Sequence, residues 1–119
     1  MKRILIIEDN EDNLYMMKFI LENSKLEVIC AKTGTEGIEA VLKEKPNLIL
    51  MDIQLPDING LDVTKRIRQL TPDRNLPIVA ISSYAMTGDK QKALDAGCTG
   101  YIEKPINPET IMDEIKNFL

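Results

Sequence analysis

Five short apolar runs alternate with five segments whose apolar residues recur at helical spacing, and this alternation restricts the fold more than any other feature. The runs are RILII, LEVICA, LILM, LPIVAIS and GYI, which begin at residues 3, 26, 48, 76 and 100. Strands that alternate with helices form a parallel sheet, with right-handed crossovers that place helices on both of its faces. The sequence therefore predicts an α/β, doubly wound (βα)5 three-layer sandwich, as a single domain over residues 1–119.

The predicted helices have apolar stripes and recognisable ends. The stripes consist of Leu14, Met17, Ile20 and Leu21; Ile38, Val41 and Leu42; Leu61, Val63, Ile67 and Leu70; Ala93, Leu94 and Ala96; and Ile111, Met112, Ile115, Phe118 and Leu119. Thr33 and Glu36 fit a capping box at the start of the second helix. Asn107 fits an N-cap, with Pro108 at the first helical position of the last helix. The fourth helix, predicted over residues 87–96, has the weakest stripe, which suits an element that can shift.

The third apolar run leads directly into Asp52. A short, unbroken apolar run is typical of a strand that is covered on both faces of a parallel sheet. A buried carboxylate without a partner is costly, so we expect Asp52 where this strand emerges. Ligands bind at this carboxyl edge in open parallel sheets. Taken alone, this stretch favours an aspartate that caps the following turn over a functional residue, because aspartate is common in turns.

The composition excludes several classes of function. The chain has no histidine, which excludes Ser-His-Asp and Cys-His catalysis, a histidine-ligated zinc site and a phosphohistidine carrier. Cys30 and Cys98 are far apart, and no disulfide is expected. The net charge of −4 and the absence of a long basic run disfavour direct binding of nucleic acid. We expect a cytoplasmic protein, because no apolar run approaches membrane-spanning length and the N-terminus lacks the pattern of a signal peptide.

Polar residues follow several of the predicted strands, namely Glu8, Asp9, Asp52, Ser82 and Lys104. If the first and third strands are neighbours, three carboxylates converge and repel, so that some must be protonated or paired with a cation. Oxygen ligands without histidine or thiolate favour a hard metal such as Mg²⁺. Together with a lysine and a hydroxyl group, the carboxylates indicate a phosphoryl site with Asp52 as the nucleophile.

Each of these residues also has a structural interpretation when it is taken singly. Glu8 and Asp9 fit an acidic pair at a helix start. Ser82 fits a serine at the end of a strand, and Lys104 with Pro105 fits a solvated turn. The occurrence of all of them at consecutive strand ends favours the functional interpretation.

Four pieces of the sequence, in their order, resemble those of a response-regulator receiver domain of the CheY-like superfamily. They are IIEDN at residues 6–10, MDIQLP at 51–56 with Gly60, AISS at 80–83 and GYIEKP at 100–105. The resemblance extends over the whole chain. Residues 85–89 are most similar to those of single-domain regulators of the DivK type. The resemblance implies a flavodoxin-like parallel sheet with the strand order 2-1-3-4-5.

The resemblance also implies roles for the residues at the strand ends. Asp52 would accept a phosphoryl group from a histidine kinase or a histidine phosphotransfer protein. Mg²⁺ would be held by Glu8, Asp9, Asp52 and the backbone carbonyl of Gln54. Lys104 would pair with the phosphoryl group, and its peptide bond to Pro105 is expected to be cis.

A second group of residues is implied to act after phosphorylation. Ser82 would move towards a phosphoryl oxygen, and Tyr101 would rotate inward behind it, as a population shift between two states. Gln54 and Tyr84 would tune the loss of phosphate, and the aromatic ring of Tyr84 predicts slow self-dephosphorylation. A face formed by the fourth helix, fifth strand and fifth helix would bind an unknown downstream protein.

These inferences predict a phosphoacceptor signalling domain of a two-component phosphorelay and not an enzyme. We expect a monomer or weak dimer without an output domain, although an excised receiver of a larger regulator or hybrid kinase would have the same sequence. One alternative is a Mg²⁺-dependent small-molecule phosphatase or phosphotransferase of aspartyl-phosphate type, but no stretch is long enough to form the lid that such enzymes usually need. Another is a flavodoxin-like binding module, whose anionic cofactor the clustered carboxylates would repel.

Overall fold

The computed structural model describes residues 2–73, 75–83 and 88–119 of the chain. Within these ranges, strands and helices alternate from end to end. The elements are β1 (Arg3–Ile7), α1 (Glu11–Asn23), β2 (Glu27–Ala31), α2 (Gly34–Glu44), β3 (Leu48–Asp52), α3 (Gly60–Leu70), β4 (Ile78–Ser82), α4 (Asp89–Ala96), β5 (Gly100–Glu103) and α5 (Ile111–Lys116). The predicted alternation is confirmed.

The five strands form one parallel sheet in the order β2-β1-β3-β4-β5. Both the predicted fold class and the implied strand order are therefore confirmed. β3 lies between β1 and β4, and every residue of β3 and β4 is buried. The register pairs Ile7 with Met51 and Asp52 with Ile81, which brings the ends of these three strands to one edge.

Alternate strand residues point to opposite faces of the sheet and form two separate apolar clusters. On one face, the strands pack against α1 and α5; the cluster includes Ile4, Ile6, Leu50, Leu14, Met17, Ile111 and Ile115. On the other, they pack against α2, α3 and α4; the cluster includes Leu5, Ile7, Met51, Val41, Val63, Ile67 and Ala93. This arrangement is the predicted three-layer sandwich.

Side chains cap the N-terminal ends of α1 and α2, and α2 begins where the sequence predicts. The side chain of Asn10 accepts a hydrogen bond from the Asn13 N–H at 3.0 Å. Thr33 Oγ1 accepts one from the Glu36 N–H at 3.1 Å, as expected for a capping box. The reciprocal bond differs, because the Glu36 carboxylate accepts from the Lys32 N–H and not from that of Thr33. The Glu36 side chain therefore binds the backbone one residue before the Thr33 N-cap.

Three leucines of the predicted apolar stripes are exposed. Leu42, Leu70 and Leu94 keep 49%, 37% and 38% of their accessible surface. Leu42 and Leu70 occupy the C-terminal ends of α2 and α3, where they line a cleft of about 420 Å³ between the two helices. Leu94 follows the buried Ala93, so the buried stripe of α4 is narrower than the spacing suggests. Periodicity was correct for the helices but wrong for these three positions.

The last helix begins later than the sequence predicts. Residues 108–110 form a turn, and α5 begins at Ile111. Asn107 still caps this turn, since its side chain accepts from the Glu109 N–H at 2.9 Å and its carbonyl accepts from the Ile111 N–H at 2.9 Å. A side-chain bond to the second residue onward is the pattern of an Asx turn, which competes with a regular helical start.

None of the helices in the described ranges combines the length and apolar character needed to cross a bilayer.

Candidate functional site

Three carboxylates meet at the carboxyl edge of the sheet, after β1 and at the end of β3. Glu8, Asp9 and Asp52 each bring one carboxylate oxygen within 4.8 Å of the other two. The cause is the pairing of β1 with β3, which places the residues after Ile7 beside Asp52. Glu8 and Asp52 retain only 1% and 4% exposure, whereas Asp9 is exposed. The expected convergence of the three residues is therefore present in the structure.

Lys104, which follows β5, places its ammonium group against two of these carboxylates. Its Nζ lies 2.9 Å from Glu8 Oε1 and 3.4 Å from Asp52 Oδ2. The Lys104 N–H donates to the Ser82 carbonyl at 2.8 Å, and the peptide bond to Pro105 is cis, as expected. One ammonium group cannot neutralise three carboxylates, so the site as a whole keeps an excess of acidic groups over basic ones.

This crowding changes the protonation of the buried groups. Burial raises the pKa of Glu8 to about 7, and the neighbouring Asp52 carboxylate acts in the same direction, while Lys104 opposes both. Burial lowers the pKa of Lys104, but its hydrogen bond to Glu8 and the charges of Asp52 and Glu8 outweigh that effect, so the net shift is upward. Lys104 thus stays charged, and Glu8 holds a proton up to near neutral pH unless another cation enters.

The donor atoms at this edge fit a divalent cation. Glu8 Oε2 is fully buried and has no hydrogen-bond partner among the described residues. A buried oxygen without a donor is unfavourable, and a metal ion would satisfy it. The set consists only of carboxylate oxygens, which Mg²⁺ prefers to nitrogen or sulfur ligands. The residues present therefore suit Mg²⁺.

The Asp52 carboxylate is oriented by a donor on each oxygen. The Gln54 N–H donates to Asp52 Oδ1 at 2.9 Å, while Lys104 faces Oδ2. Asp52 thus also caps the following turn, as the structural interpretation predicted. The capping bond uses Oδ1, whereas Lys104 faces Oδ2. Gln54 Oε1 in turn accepts from Ser83 Oγ at 2.8 Å.

Ser82 ends β4, one residue beyond the partner of Asp52 in the sheet. It is 2% exposed and contributes to the wall of a cavity of about 390 Å³, together with Gln54, Asp89 and Lys92. This cavity separates the β3–α3 loop from the start of α4. The structure therefore places Ser82 at the same edge of the sheet as Asp52, where it lines a cavity that extends to α4.

Tyr101 lies on β5, opposite Ala80. It is half-buried against the apolar cluster between the sheet and helices α2–α4. This position is on the face of the sheet that carries α4. Tyr84, which was predicted to tune phosphate loss, lies outside the described residues.

The sequence did not reveal Asp57, in the loop between β3 and α3. Its Oδ1 accepts from the Gly34 N–H at 2.7 Å, and its Oδ2 accepts from the N–H and the hydroxyl of Thr35 at 3.1 and 2.8 Å. Gly34 and Thr35 are the first two residues of α2. The partners are more than twenty positions earlier in the chain, so no local pattern signals the contact. Asp57 thus ties the loop after Asp52 to the start of another helix.

The contacts of Asp57 predict a specific acid dependence of stability. The Gly34 N–H, with further donors from Thr35 and Ile58, lowers the pKa of Asp57 to about 2. A lowered folded-state pKa gives stability that is present above the unfolded-state pKa and is lost as the pH falls through the folded-state value. We expect Asp57→Asn to lower the free energy of unfolding by a constant amount above about pH 4.

That deficit should shrink as the pH falls from about 4 to about 2. Urea unfolding of both proteins, followed by circular dichroism at a series of pH values, measures it. A difference that stays constant down to pH 2 would show that the carboxylate charge is not what stabilises the loop.

Comparison with known proteins gives a consistent result over nearly the full length. The sequence matches the response regulator receiver domain over residues 4–116. It is 38% identical over 118 residues to the polar-differentiation response regulator DivK of Brucella anthropi, an alignment that covers 99% of this chain and 96% of the relative.

Two solved structures show the same likeness. A CheY-like response regulator receiver domain protein from Methanospirillum hungatei superposes with a TM-score of 0.90 and 36% identity, and the match covers 98% of this chain and 92% of that one. The chemotaxis response regulator CheY4 of Vibrio cholerae superposes with a TM-score of 0.94 and 26% identity, over 100% and 99% of the two chains.

Proposed function

This chain belongs to the response regulator receiver domain family, and on that premise we propose that it is a phosphorylation-dependent switch of a two-component phosphorelay. Asp52 accepts a phosphoryl group from a histidine kinase or a histidine phosphotransfer protein. One observation supports this most strongly: the Asp52 carboxylate is buried and fixed between the Gln54 N–H and Lys104, at an edge crowded with other carboxylates. These 119 residues contain no histidine, so the phosphohistidine donor lies outside them.

The transfer is a displacement at phosphorus. A carboxylate oxygen of Asp52 attacks, the new O–P bond forms, and the N–P bond of the donor breaks as the imidazole leaves. Lys104, already in reach of Asp52, places positive charge where the phosphoryl oxygens arrive. Glu8, Asp9, Asp52 and the backbone carbonyl of Gln54 would hold Mg²⁺, which when bound neutralises charge on those oxygens.

The response to phosphorylation involves Ser82 and Tyr101. Ser82 ends β4 one residue beyond the partner of Asp52 and lines the cavity beside it, so its hydroxyl would donate to a phosphoryl oxygen by moving towards Asp52. Tyr101 is half-buried on the α4 side of the sheet and fills the space that this movement leaves. Contacts of Ser82 and Tyr101 that form in only one of two conformations shift the population towards that conformation.

The surface that changes is formed by α4, β5 and α5 and binds a downstream protein. Two residues of α4, Ala93 and Ala96, are buried, and both have small side chains. A helix held by so little apolar area repositions at low cost. Loss of the phosphoryl group is tuned by Gln54 and Tyr84, which follow Asp52 and Ser82 in the chain.

The test is the intact mass of the protein after incubation with Mg²⁺ and acetyl phosphate. We expect one phosphoryl group on the wild type and none on Asp52→Asn or in the presence of a chelator. Asp113→Asn, which removes an exposed carboxylate on α5, is the matched control and should be labelled like the wild type. Labelling that survives in Asp52→Asn, or a wild type that accepts from neither acetyl phosphate nor a phosphohistidine protein, would contradict the proposal.

A further inference from the structure

We propose that Asp57 is a positioning residue for the phosphoacceptor: by tying the β3–α3 loop to α2, it keeps the Gln54 N–H on the Asp52 carboxylate. The inference rests on the proposed function for its consequence, but its geometry is independent of phosphorylation. Asp57 touches none of the reacting atoms. It acts through the loop of residues 53–59, which leads from Asp52 to α3.

The Asp57 carboxylate accepts hydrogen bonds that the start of α2 needs. The first N–H groups of a helix have no partner within the helix. In α2, the Glu36 N–H is satisfied by Thr33 Oγ1, whereas those of Gly34 and Thr35 are satisfied by Asp57. The carboxylate also lies at the positive end of the helix dipole, which favours its charged form. The anchor point is therefore both hydrogen-bonded and electrostatically favourable.

The packing around Gly34 shows how closely the loop approaches the helix. A Cβ atom added at Gly34 would lie 2.7 Å from Val63 Cγ2 and 3.3 Å from both Asp57 Oδ1 and Ile58 Cβ. Glycine at this position leaves the space in which the loop and the start of α3 rest against α2. The contact between Asp57 and α2 is thus part of a packed junction.

The same loop is fixed at its base. The Gly60 N–H donates to the Ile53 carbonyl at 2.8 Å, and Asn59 caps α3 by accepting from the Leu61 N–H at 2.8 Å. Gln54 lies between the base of the loop and its attachment through Asp57. Without Asp57, the loop loses its hydrogen bonds to α2. Gln54 is then held by the base of the loop and by the Ser83 hydroxyl on its side chain, and its N–H is freer to leave Asp52 Oδ1.

The test compares Asp57→Ala with Thr33→Ala. Both changes remove hydrogen bonds from the start of α2, but only the first releases the loop. Asp57→Asn is the conservative variant, since it retains one acceptor oxygen while placing an NH₂ group towards the donors. Two quantities are measured on each protein: the hydrogen-exchange rate of the Gln54 amide by NMR, and the rate of labelling by acetyl phosphate by intact mass.

We expect Asp57→Ala to accelerate exchange at Gln54 and to slow labelling, each by about ten-fold, the scale of losing a group that orients a site residue. Asp57→Asn should lie between Asp57→Ala and the wild type, and Thr33→Ala should stay near the wild type in both measurements. Equal changes in the Thr33 and Asp57 variants, or an unchanged Gln54 exchange rate in both Asp57 variants, would overturn the proposal. A wild type that takes no label from acetyl phosphate or from a phosphohistidine protein would overturn the proposed function, and exchange at Gln54 would still decide the role of Asp57.

Discussion

Replacing Lys104 by methionine is expected to abolish efficient phosphoryl acceptance at Asp52 and, at the same time, to strengthen Mg²⁺ binding. The ammonium group lies 3.4 Å from Asp52 Oδ2 and 2.9 Å from Glu8 Oε1, with only 14% of the side chain exposed. Methionine keeps an unbranched side chain but removes the charge that would meet the phosphoryl oxygens. Removing one such electrostatic donor costs about 10²- to 10³-fold in rate. Mg²⁺ should bind more tightly because it no longer competes with the ammonium for the carboxylates.

The same change should destabilise the metal-free protein. It leaves Glu8 and Asp52 buried without their cation, and breaking a buried ion pair in this way costs about 3 kcal/mol or more. Saturating Mg²⁺ should restore part of the loss, since the ion binds only the folded state. Urea unfolding with and without Mg²⁺, Mg²⁺ titration by NMR and a labelling time course measure the three effects. Lys116→Met, on the exposed side of α5, is the control. Weaker Mg²⁺ binding in Lys104→Met would show that Lys104 supports the metal site and does not compete with it.

The sequence predicted the convergence of carboxylates because the rule that produces it is simple. Parallel strands end at one edge, and an apolar run that stops at a charged residue marks that edge. What local patterns did not supply was the strand order that makes Glu8 and Asp52 neighbours, which came from the resemblance to a family. Nor did they show that Glu8 is buried whereas Asp9 is exposed, because that depends on packing around β1.

The features that were missed or wrong depend on where elements meet. Leu42 and Leu70 fit helical stripes, yet they lie at helix ends that border a cleft. Periodicity gives the direction of a side chain but not whether anything lies opposite it. The contact between Asp57 and Gly34 joins a loop to a helix end across 23 positions, and it needs the strand order, the loop path and the absence of a Cβ together. Such junctions become visible only in three dimensions.

Gly60→Ala should produce the second large effect, with a sign opposite to that expected from helix propensity. Gly60 is the first residue of α3, and alanine is preferred to glycine in helices by about 1 kcal/mol. A Cβ at this position, however, would lie 2.5 Å from the Asp52 carbonyl oxygen and 2.6 Å from Ile53 Cα. Both are backbone atoms, which cannot rotate away, and overpacking of this kind costs up to about 3 kcal/mol. We therefore expect a net loss of stability and, because the displaced atoms belong to Asp52 and Ile53, slower phosphoryl acceptance.

Gly100→Ala separates this explanation from a general intolerance of glycine replacement. Its added Cβ would meet the ring of Phe118, a side chain beyond the end of α5 that is only partly buried and can move aside. We expect a smaller loss of stability than in Gly60→Ala and labelling at the wild-type rate. Urea unfolding and the acetyl phosphate time course compare the two variants directly. If Gly60→Ala were as stable as the wild type, the backbone around Asp52 would have to move easily. That result would contradict the burial of β3 and its pairing with strands on both sides, which hold the Asp52 carboxylate in its orientation.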